Sequence, residues 1–108
     1  SKERQSRLQA DVLNSKFAEV QQQIRLQVTQ AFYDLQAAQQ SLVAAEEGLE
    51  KATQSFRIVD SKYRNQQALL VEFLRAENDV TTARLSASIA RYDVLLKQAA
   101  LNRIVALQ

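Results

Sequence analysis

Apolar residues recur at alternating spacings of three and four over about five heptads, which constrains the fold more than any other feature of the chain. The pattern has a Leu-rich and an Ala-rich register. They are Val28, Leu35, Leu42, Leu49, Phe56 and Tyr63, and Phe17, Ile24, Ala31, Ala38, Ala45, Ala52 and Val59. A repeat of this kind keeps one apolar seam facing a partner helix and implies a left-handed coiled coil. The first half of the chain is therefore predicted to be one long helix.

A second seam follows in the second half of the chain. Its members are Phe73, Ala76, Val80, Ala83, Ala87, Ala90, Val94, Lys97, Leu101 and Ile104. Polar residues interrupt the period between the seams, and Asn65 is the predicted hinge because Asn tolerates the left-handed conformation that ends helices. We expect an all-α fold, a long antiparallel two-helix coiled-coil hairpin, with helix one over about 3–63, a turn over about 64–67 and helix two over about 68–106.

The two seams match when the chain is folded back on itself near residue 66. Val59 then lies opposite Phe73, and Leu49 lies opposite Ala83. Large residues mostly face small ones, which is how a close helix pair fills space. Lys97 opposite Leu35 is the misfit, although its aliphatic stem can pack while its ammonium group reaches water. Helix one is predicted to extend beyond helix two by about twenty residues.

Further apolar residues lie off the seams, on both helices. They are Leu85, Ile89, Tyr92, Leu96 and Ala99 on helix two, and Leu26, Tyr33, Ala37 and Ala44 on helix one. A single hairpin would leave them in water, and such stripes usually pack against more helices. We therefore expect self-association, most simply as a dimer that forms a four-helix bundle, or as an α-barrel in a longer parent protein.

The composition argues against catalysis and metal binding. The chain has no Cys and no His, so it lacks the commonest metal ligands, a thiol nucleophile and the commonest general base. Its two carboxylate groups, Glu46-Glu47-Glu50 and Glu77-Asp79, fall among exposed heptad positions, where pairs such as Glu47 and Lys51 stabilise a helix surface. The 14 basic and 12 acidic residues form no basic block. We therefore predict no enzyme activity, no metal, no cofactor and no nucleic-acid partner.

Two local features invite a functional interpretation. Residues 20–45 contain eight Gln and only two charged residues, Arg25 and Asp34. This segment is either an uncharged hydrophilic wall suited to a water-filled conduit or an ordinary Gln-rich helix surface. Tyr63 and Phe73 flank the turn, where an aromatic pair more often fastens the end of a hairpin than binds a ligand.

Several short elements occur in a familiar order. Ala31-Phe32-Tyr33-Asp34-Leu35 precedes the Leu/Ala ladder, and Lys62-Tyr63 precedes the turn. After the turn come Leu70-Val71-Glu72-Phe73-Leu74-Arg75-Ala76-Glu77-Asn78, then Ala90-Arg91-Tyr92 and a closing Leu-rich end. In order and spacing these elements resemble a hairpin of the TolC-like outer-membrane efflux protein family, and the resemblance covers essentially the whole chain.

The resemblance implies a role in transport. Members of that family are trimeric conduits with an outer-membrane β-barrel and a long periplasmic α-barrel, in a Gram-negative bacterium. The chain would be one hairpin of such a protein, excised from a longer parent. By this likeness the residues of the tip that docks a periplasmic adaptor protein would be Asn65, Gln66, Gln67, Ala68 and Leu69. Tyr63 and Glu72 would belong to the channel entrance, with Tyr63 fixing its closed arrangement.

The chain also departs from the family pattern. Gln66 stands where the family has its tip glycine, Arg75 replaces its second acidic residue, and the helix cap expected near Leu69 is absent. Two other interpretations remain open: the coiled-coil hairpin of a periplasmic adaptor (membrane fusion) protein, and a purely structural coiled-coil scaffold.

Overall fold

The computed structural model describes residues 1–107, and within them two helices account for almost every residue. Helix α1 spans Lys2–Arg64 and helix α2 spans Leu70–Val105. They lie antiparallel in a rod of 96 × 16 × 14 Å. The described residues contain no strand. The predicted all-α hairpin is confirmed, whereas its assembly with other copies stays a prediction.

The ends of the helices have local causes. Ser1 caps α1 because its hydroxyl accepts a hydrogen bond from the Arg4 N–H at 3.4 Å. Lys62 and Arg64 lie in the last turn of α1, where cations complement the helix dipole. Helix α2 begins at Leu70, two residues later than predicted. A start at residue 68 or 69 would place Gln67 or Ala68 at the N-cap, and neither is among the residues preferred there.

The core is a thin seam of small residues with a few aliphatic ones. The buried side chains all belong to the predicted seams: Ala31, Leu35, Ala38, Ala76, Val80 and Ala87. The Phe73 ring lies between the rings of Phe56 and Tyr63, at centroid distances of 5.6 and 4.9 Å. Phe73 is therefore level with Val59, which is the register that the sequence predicts.

Lys97 occupies a seam position without burying its charge. Its ammonium group lies 3.5 Å from the Asp93 carboxylate, on the same helix one turn earlier. Leu35 on the opposite helix is nevertheless buried, with 7% of its surface exposed. The Lys97 stem thus covers apolar surface while its head remains in water, as the sequence predicts.

The N-terminal third of α1 has no partner helix. Leu107, beyond the end of α2, lies beside Gln21, Ile24 and Arg25, and every residue from 1 to 20 is exposed. The unpaired segment is roughly 30 Å long at the helical rise. Phe17 continues the seam pattern in sequence, but it is 66% exposed because α2 ends before reaching it.

Candidate functional site: the hairpin tip

The connection between the helices consists of the five residues predicted from the resemblance to form the docking tip. Helix α1 ends at Arg64 and α2 begins at Leu70, so the connection runs from residue 65 to residue 69. Ala68 is half-buried, and the other four residues are exposed. The structure places all five at one extreme end of the rod; their role in docking stays a prediction.

A Schellman motif turns the chain at the end of α1. The N–H of Gln67 donates to the carbonyl of Lys62 at 2.7 Å, and the N–H of Gln66 donates to the carbonyl of Tyr63 at 3.1 Å. These two bonds satisfy carbonyls that the helix end would otherwise leave unpaired. The tip is therefore a defined turn rather than a flexible loop.

The left-handed residue of this turn is Gln66, with φ of 62°. The prediction that Asn65 adopts this conformation is wrong: Asn65 has φ of −92° and ψ of 12° and forms the last position of the helix end. In a Schellman motif the left-handed residue follows the C-cap, and the C-cap is Asn65 itself. Gln66 stands where the resembling family has glycine, so the chain keeps a glycine-type conformation with a residue that has a Cβ.

The start of α2 has no side-chain cap. Leu69 has the extended backbone of an N-cap residue, with φ of −79° and ψ of 154°, but makes no side-chain cap bond. Its carbonyl accepts hydrogen bonds from the N–H groups of Glu72 and Phe73 at 3.1 and 3.2 Å. Ser, Asp or Asn at this position would satisfy a free N–H group of the first turn. The leucine side chain makes no hydrogen bond to the helix start.

An aromatic cluster fixes the two helix ends beneath the turn. Tyr63 and Phe73 stack at 4.9 Å with an interplanar angle of 25°, and Phe56 meets Phe73 at 5.6 Å and 48°. Aromatic pairs in such arrangements contribute about 0.5–1.5 kcal/mol beyond their burial. The predicted fastening of the hairpin end by Tyr63 and Phe73 is confirmed, and Phe56 extends it.

Four large aliphatic side chains are exposed around the start of α2. This tip patch consists of Leu69, Leu70, Val71 and Leu74, each more than half exposed. Leu70 and Leu74 are four residues apart and therefore share one face of the helix. The sequence interpretation missed the patch, although the run from Leu69 to Val71 contained the signal: a helix turns too far per residue for consecutive side chains all to face one partner.

Charged groups of both signs lie at the same end of the hairpin as the tip patch. Glu72 is exposed in the first turn of α2, where an anion complements the helix dipole. Arg75 follows on the same helix, and Arg64 pairs with Asp60 at 3.3 Å on α1. The tip thus combines exposed apolar and charged residues, as protein-binding surfaces do.

Two kinds of site are not found in the described part of the chain. Within residues 1–107, no group of three or more potential ligands is arranged to hold a metal ion. No helix in that range is both long and apolar enough to cross a membrane. Neither a protein-family model, nor a curated protein, nor a solved structure matches the chain. The functional argument therefore rests on the geometry of the hairpin.

Proposed function

We propose that the chain is a periplasmic α-helical conduit segment of an outer-membrane efflux or secretion channel, whose tip docks a periplasmic adaptor protein and forms the channel entrance. In the parent protein, a β-barrel would anchor the conduit in the outer membrane of a Gram-negative bacterium. The order of sequence elements suggested this role, and the observation that carries it is the exposed tip patch on a rigid turn.

The tip patch has the properties that docking requires. Four exposed aliphatic residues on a small surface lose water when a partner covers them, at about 25 cal/mol per Å². The Schellman turn and the Tyr63–Phe73 stack hold their backbone in place. A preorganised surface loses little conformational entropy on binding. A structural scaffold has no need of such a tip, and Leu69 occupies a position where a polar residue would stabilise the helix better.

The glutamine-rich segment supports the conduit role. All eight Gln residues between positions 20 and 45 are exposed on α1: Gln21, Gln22, Gln23, Gln27, Gln30, Gln36, Gln39 and Gln40. An uncharged polar wall offers hydrogen bonds to water and passes solutes of either charge without strong electrostatic attraction. The eight residues do not share one face, because consecutive residues such as Gln21, Gln22 and Gln23 point in different directions. Part of the set, including Gln36, Gln39 and Gln40, would line an aqueous channel.

Binding to adaptor proteins tests the proposal directly. The hairpin is immobilised and exposed to purified periplasmic adaptor proteins encoded by the same genome. We expect at least one to bind the wild type and to bind Leu70→Glu at least about tenfold more weakly, because a charge desolvated in an apolar contact is costly. Gln67→Glu at the turn should also weaken binding, whereas Leu8→Glu at the opposite end of the rod should not.

Two outcomes would contradict the proposal. Binding that survives Leu70→Glu and Gln67→Glu would show that the tip is not the docking surface. Binding to outer-membrane channel proteins, with none to adaptors, would favour the alternative in which the chain is itself an adaptor hairpin. Circular dichroism of each variant verifies that helicity is unchanged.

A further inference from the structure

The apolar repeat of α1 continues into α2 without a change of phase. Counted in sevens, the Ala-rich register runs through the turn and onwards to the end of the second helix. Its members are Phe17, Ile24, Ala31, Ala38, Ala45, Ala52, Val59, Gln66, Phe73, Val80, Ala87, Val94 and Leu101. Gln66 is the one polar residue among them, and it is also the residue with φ of 62°. In a single straight helix these positions would form one continuous stripe.

The second register of the seam changes its spacing at the turn. On α1 a second apolar residue follows each member of the stripe after four residues, as Tyr63 follows Val59. On α2 it follows after three residues, as Ala76 follows Phe73. The change rotates the apolar face by about 50°. A long helix can accommodate such a rotation, as coiled coils do where their repeat shifts.

The turn carries an apolar residue for each of the two spacings. Leu69 and Leu70 follow Gln66 by three and four residues. In the hairpin both leucines are more than half exposed, and Leu69 makes no side-chain cap bond to the start of α2. In a continuous helix the two leucines would join the α1 seam to the α2 seam at the point where the spacing changes.

The connection is also compatible with a helical backbone. Residues 65–69 contain neither glycine nor proline, and Gln, Ala and Leu are good helix formers. The carbonyls of Lys62 and Tyr63, which accept the two bonds of the Schellman motif, would instead accept ordinary helical bonds from residues four positions later. Gln66 would leave the left-handed conformation, which is unfavourable for a residue with a Cβ.

We propose that two copies of the chain exchange their second helices. Each chain straightens at Gln66 into one continuous helix, and α2 of each copy packs on α1 of the other. Val59 of one copy then lies opposite Phe73 of the other, as it does within the hairpin. A twofold axis passes between the two Gln66 side chains, and a single polar residue in an apolar seam fixes the register of a helix pair. The contact uses the seam alone and no residue of the outer stripes.

The balance between hairpin and exchanged dimer depends on concentration. The dimer repeats the contacts of two hairpins, adds contacts at Leu69 and Leu70, and relieves Gln66. Association costs translational and rotational entropy, so the hairpin dominates in dilute solution and the dimer gains with concentration. The two forms differ in shape, because the rod of 96 Å would lengthen to about 190 Å at the helical rise.

Cross-linking between Glu46 and Arg91 detects the exchange directly. Their charged groups lie 3.6 Å apart across the two helices of the hairpin, and the chain has no cysteine of its own. Glu46→Cys and Arg91→Cys are prepared as separate proteins, mixed while unfolded, refolded together at high concentration and treated with a short bismaleimide. We expect cross-linked dimers, because the exchange brings position 46 of one copy to position 91 of the other.

The matched control uses the same two proteins without joint unfolding. Refolded separately in dilute solution and then mixed briefly, they should give no cross-links, because exchange requires the hairpins to open. Equal cross-linking in the two procedures would show a contact between intact hairpins and would overturn the proposal. So would the absence of cross-links after joint refolding at the highest soluble concentration.

Two substitutions at the hinge differ by one methyl group. Gln66→Gly suits the left-handed turn and disfavours a continuous helix, so the yield of cross-linked dimer should fall at least about tenfold. Gln66→Ala keeps the Cβ and is the better helix former, so its yield should equal or exceed that of the wild type. Equal yields from the glycine and alanine variants would contradict a hinge at this residue.

A deletion variant tests whether the seams can pair between copies. Removal of residues 64–70 takes out the whole connection and keeps the seven-residue phase, so that Phe73 follows Val59 as the next member of the stripe. The shortened chain cannot fold back on itself and should form only the long helical dimer. Small-angle X-ray scattering measures its length and light scattering its mass. An unfolded or monomeric variant would contradict the exchange.

The exchange goes beyond the proposed docking function and is measured without an adaptor. Gln67→Glu is predicted to weaken adaptor binding, but in a continuous helix this position lies off the seam. Its cross-linking yield should therefore stay within about twofold of the wild type. Lost adaptor binding with retained exchange would separate the two proposals, and adaptor binding by a hairpin that never exchanges would separate them in the opposite direction.

Discussion

Arg91 on α2 reaches across to Glu46 on α1, with 3.6 Å between the guanidinium Nε and the carboxylate Oε1. Within residues 1–107, no other ion pair joins the two helices. About half of each side chain is exposed, so water and salt screen the attraction. The apolar packing of the two seams, and not this exposed ion pair, sets how the two helices align.

A double-mutant cycle on this pair should therefore give a small coupling. We expect Glu46→Gln, Arg91→Gln and the double variant to yield an interaction energy of about 0.2–1 kcal/mol that decreases with added salt. Urea unfolding at low and high ionic strength measures it. A coupling several times larger, and insensitive to salt, would mean that the ion pair rather than the seam fixes the register.

Glycine at the turn should stabilise the hairpin. Gln66 has φ of 62°, a conformation that costs a residue with a Cβ about 1–2 kcal/mol. Gln66→Gly removes that cost but increases the freedom of the unfolded chain. We expect a net gain of about 0.5–1 kcal/mol in the free energy of unfolding, measured by urea titration.

The neighbouring position supplies the control for the turn. Asn65 has ordinary negative φ, so Asn65→Gly relieves nothing and should lower stability by a few tenths of a kcal/mol or more. If both glycine variants changed stability equally, the left-handed residue would not be Gln66.

A polar cap residue at the start of α2 should increase the stability of the hairpin and weaken its binding to the adaptor. Leu69 caps nothing and is 66% exposed. Leu69→Ser would supply the missing side-chain acceptor and should raise the free energy of unfolding by about 1 kcal/mol. The same change removes an aliphatic group from the tip patch, so binding to the adaptor should weaken. A variant that is more stable and yet binds as well as wild type would exclude Leu69 from the docking surface.

Replacing a buried and an exposed leucine should distinguish the seam between the helices from the outward-facing side of α2. Leu35 is 7% exposed and Leu85 is 61% exposed. Leu35→Ala should lower the free energy of unfolding by about 2–4 kcal/mol through lost burial and an unfilled cavity. Leu85→Ala should change it by less than about 0.5 kcal/mol at low concentration, where copies are separate. Thermal melts of dilute samples compare them, and equal losses would contradict the assigned seam.

Hydrogen exchange should divide α1 into two parts. Residues up to 20 have no partner helix, and an isolated helix of that length is only marginally stable in water. Their amides should exchange much faster than those of the segment around Leu35 and Ala38, which requires separation of the helices. Uniform protection along α1 would mean that another element covers the unpaired segment.

The sequence predicted the hairpin because the signal was redundant. Two seams of the same period match about one point, and every buried residue of the core belongs to them. Even the exception at Lys97 was predictable, since a long aliphatic stem tolerates a seam position. Helical periodicity indicates which face is buried, and each heptad of a long repeat gives the same indication independently.

The details of the tip were less accessible. Asn65 has the better intrinsic tendency for a left-handed conformation, yet Gln66 adopts it, because the position after the C-cap decides the geometry. The tip patch was overlooked because Leu69, Leu70 and Val71 are consecutive, and a short consecutive run shows no helical period. Local hydrogen bonds determine the geometry of a short connection. Conformational propensities of single residues are weak and become informative only when they are summed over many residues.

The hairpin has one closed end, which has a consequence for the order in which it folds. Tyr63 and Phe73 are close in sequence and stack beneath the turn, whereas Arg25 and Leu107 meet across most of the chain. The entropy lost in closing a loop grows with the length of the loop. A contact that forms next to an existing contact closes only a short additional loop, so its entropic cost is small. Folding should therefore nucleate at the turn and proceed towards the open end like a zipper, with the far contacts made last and opened first.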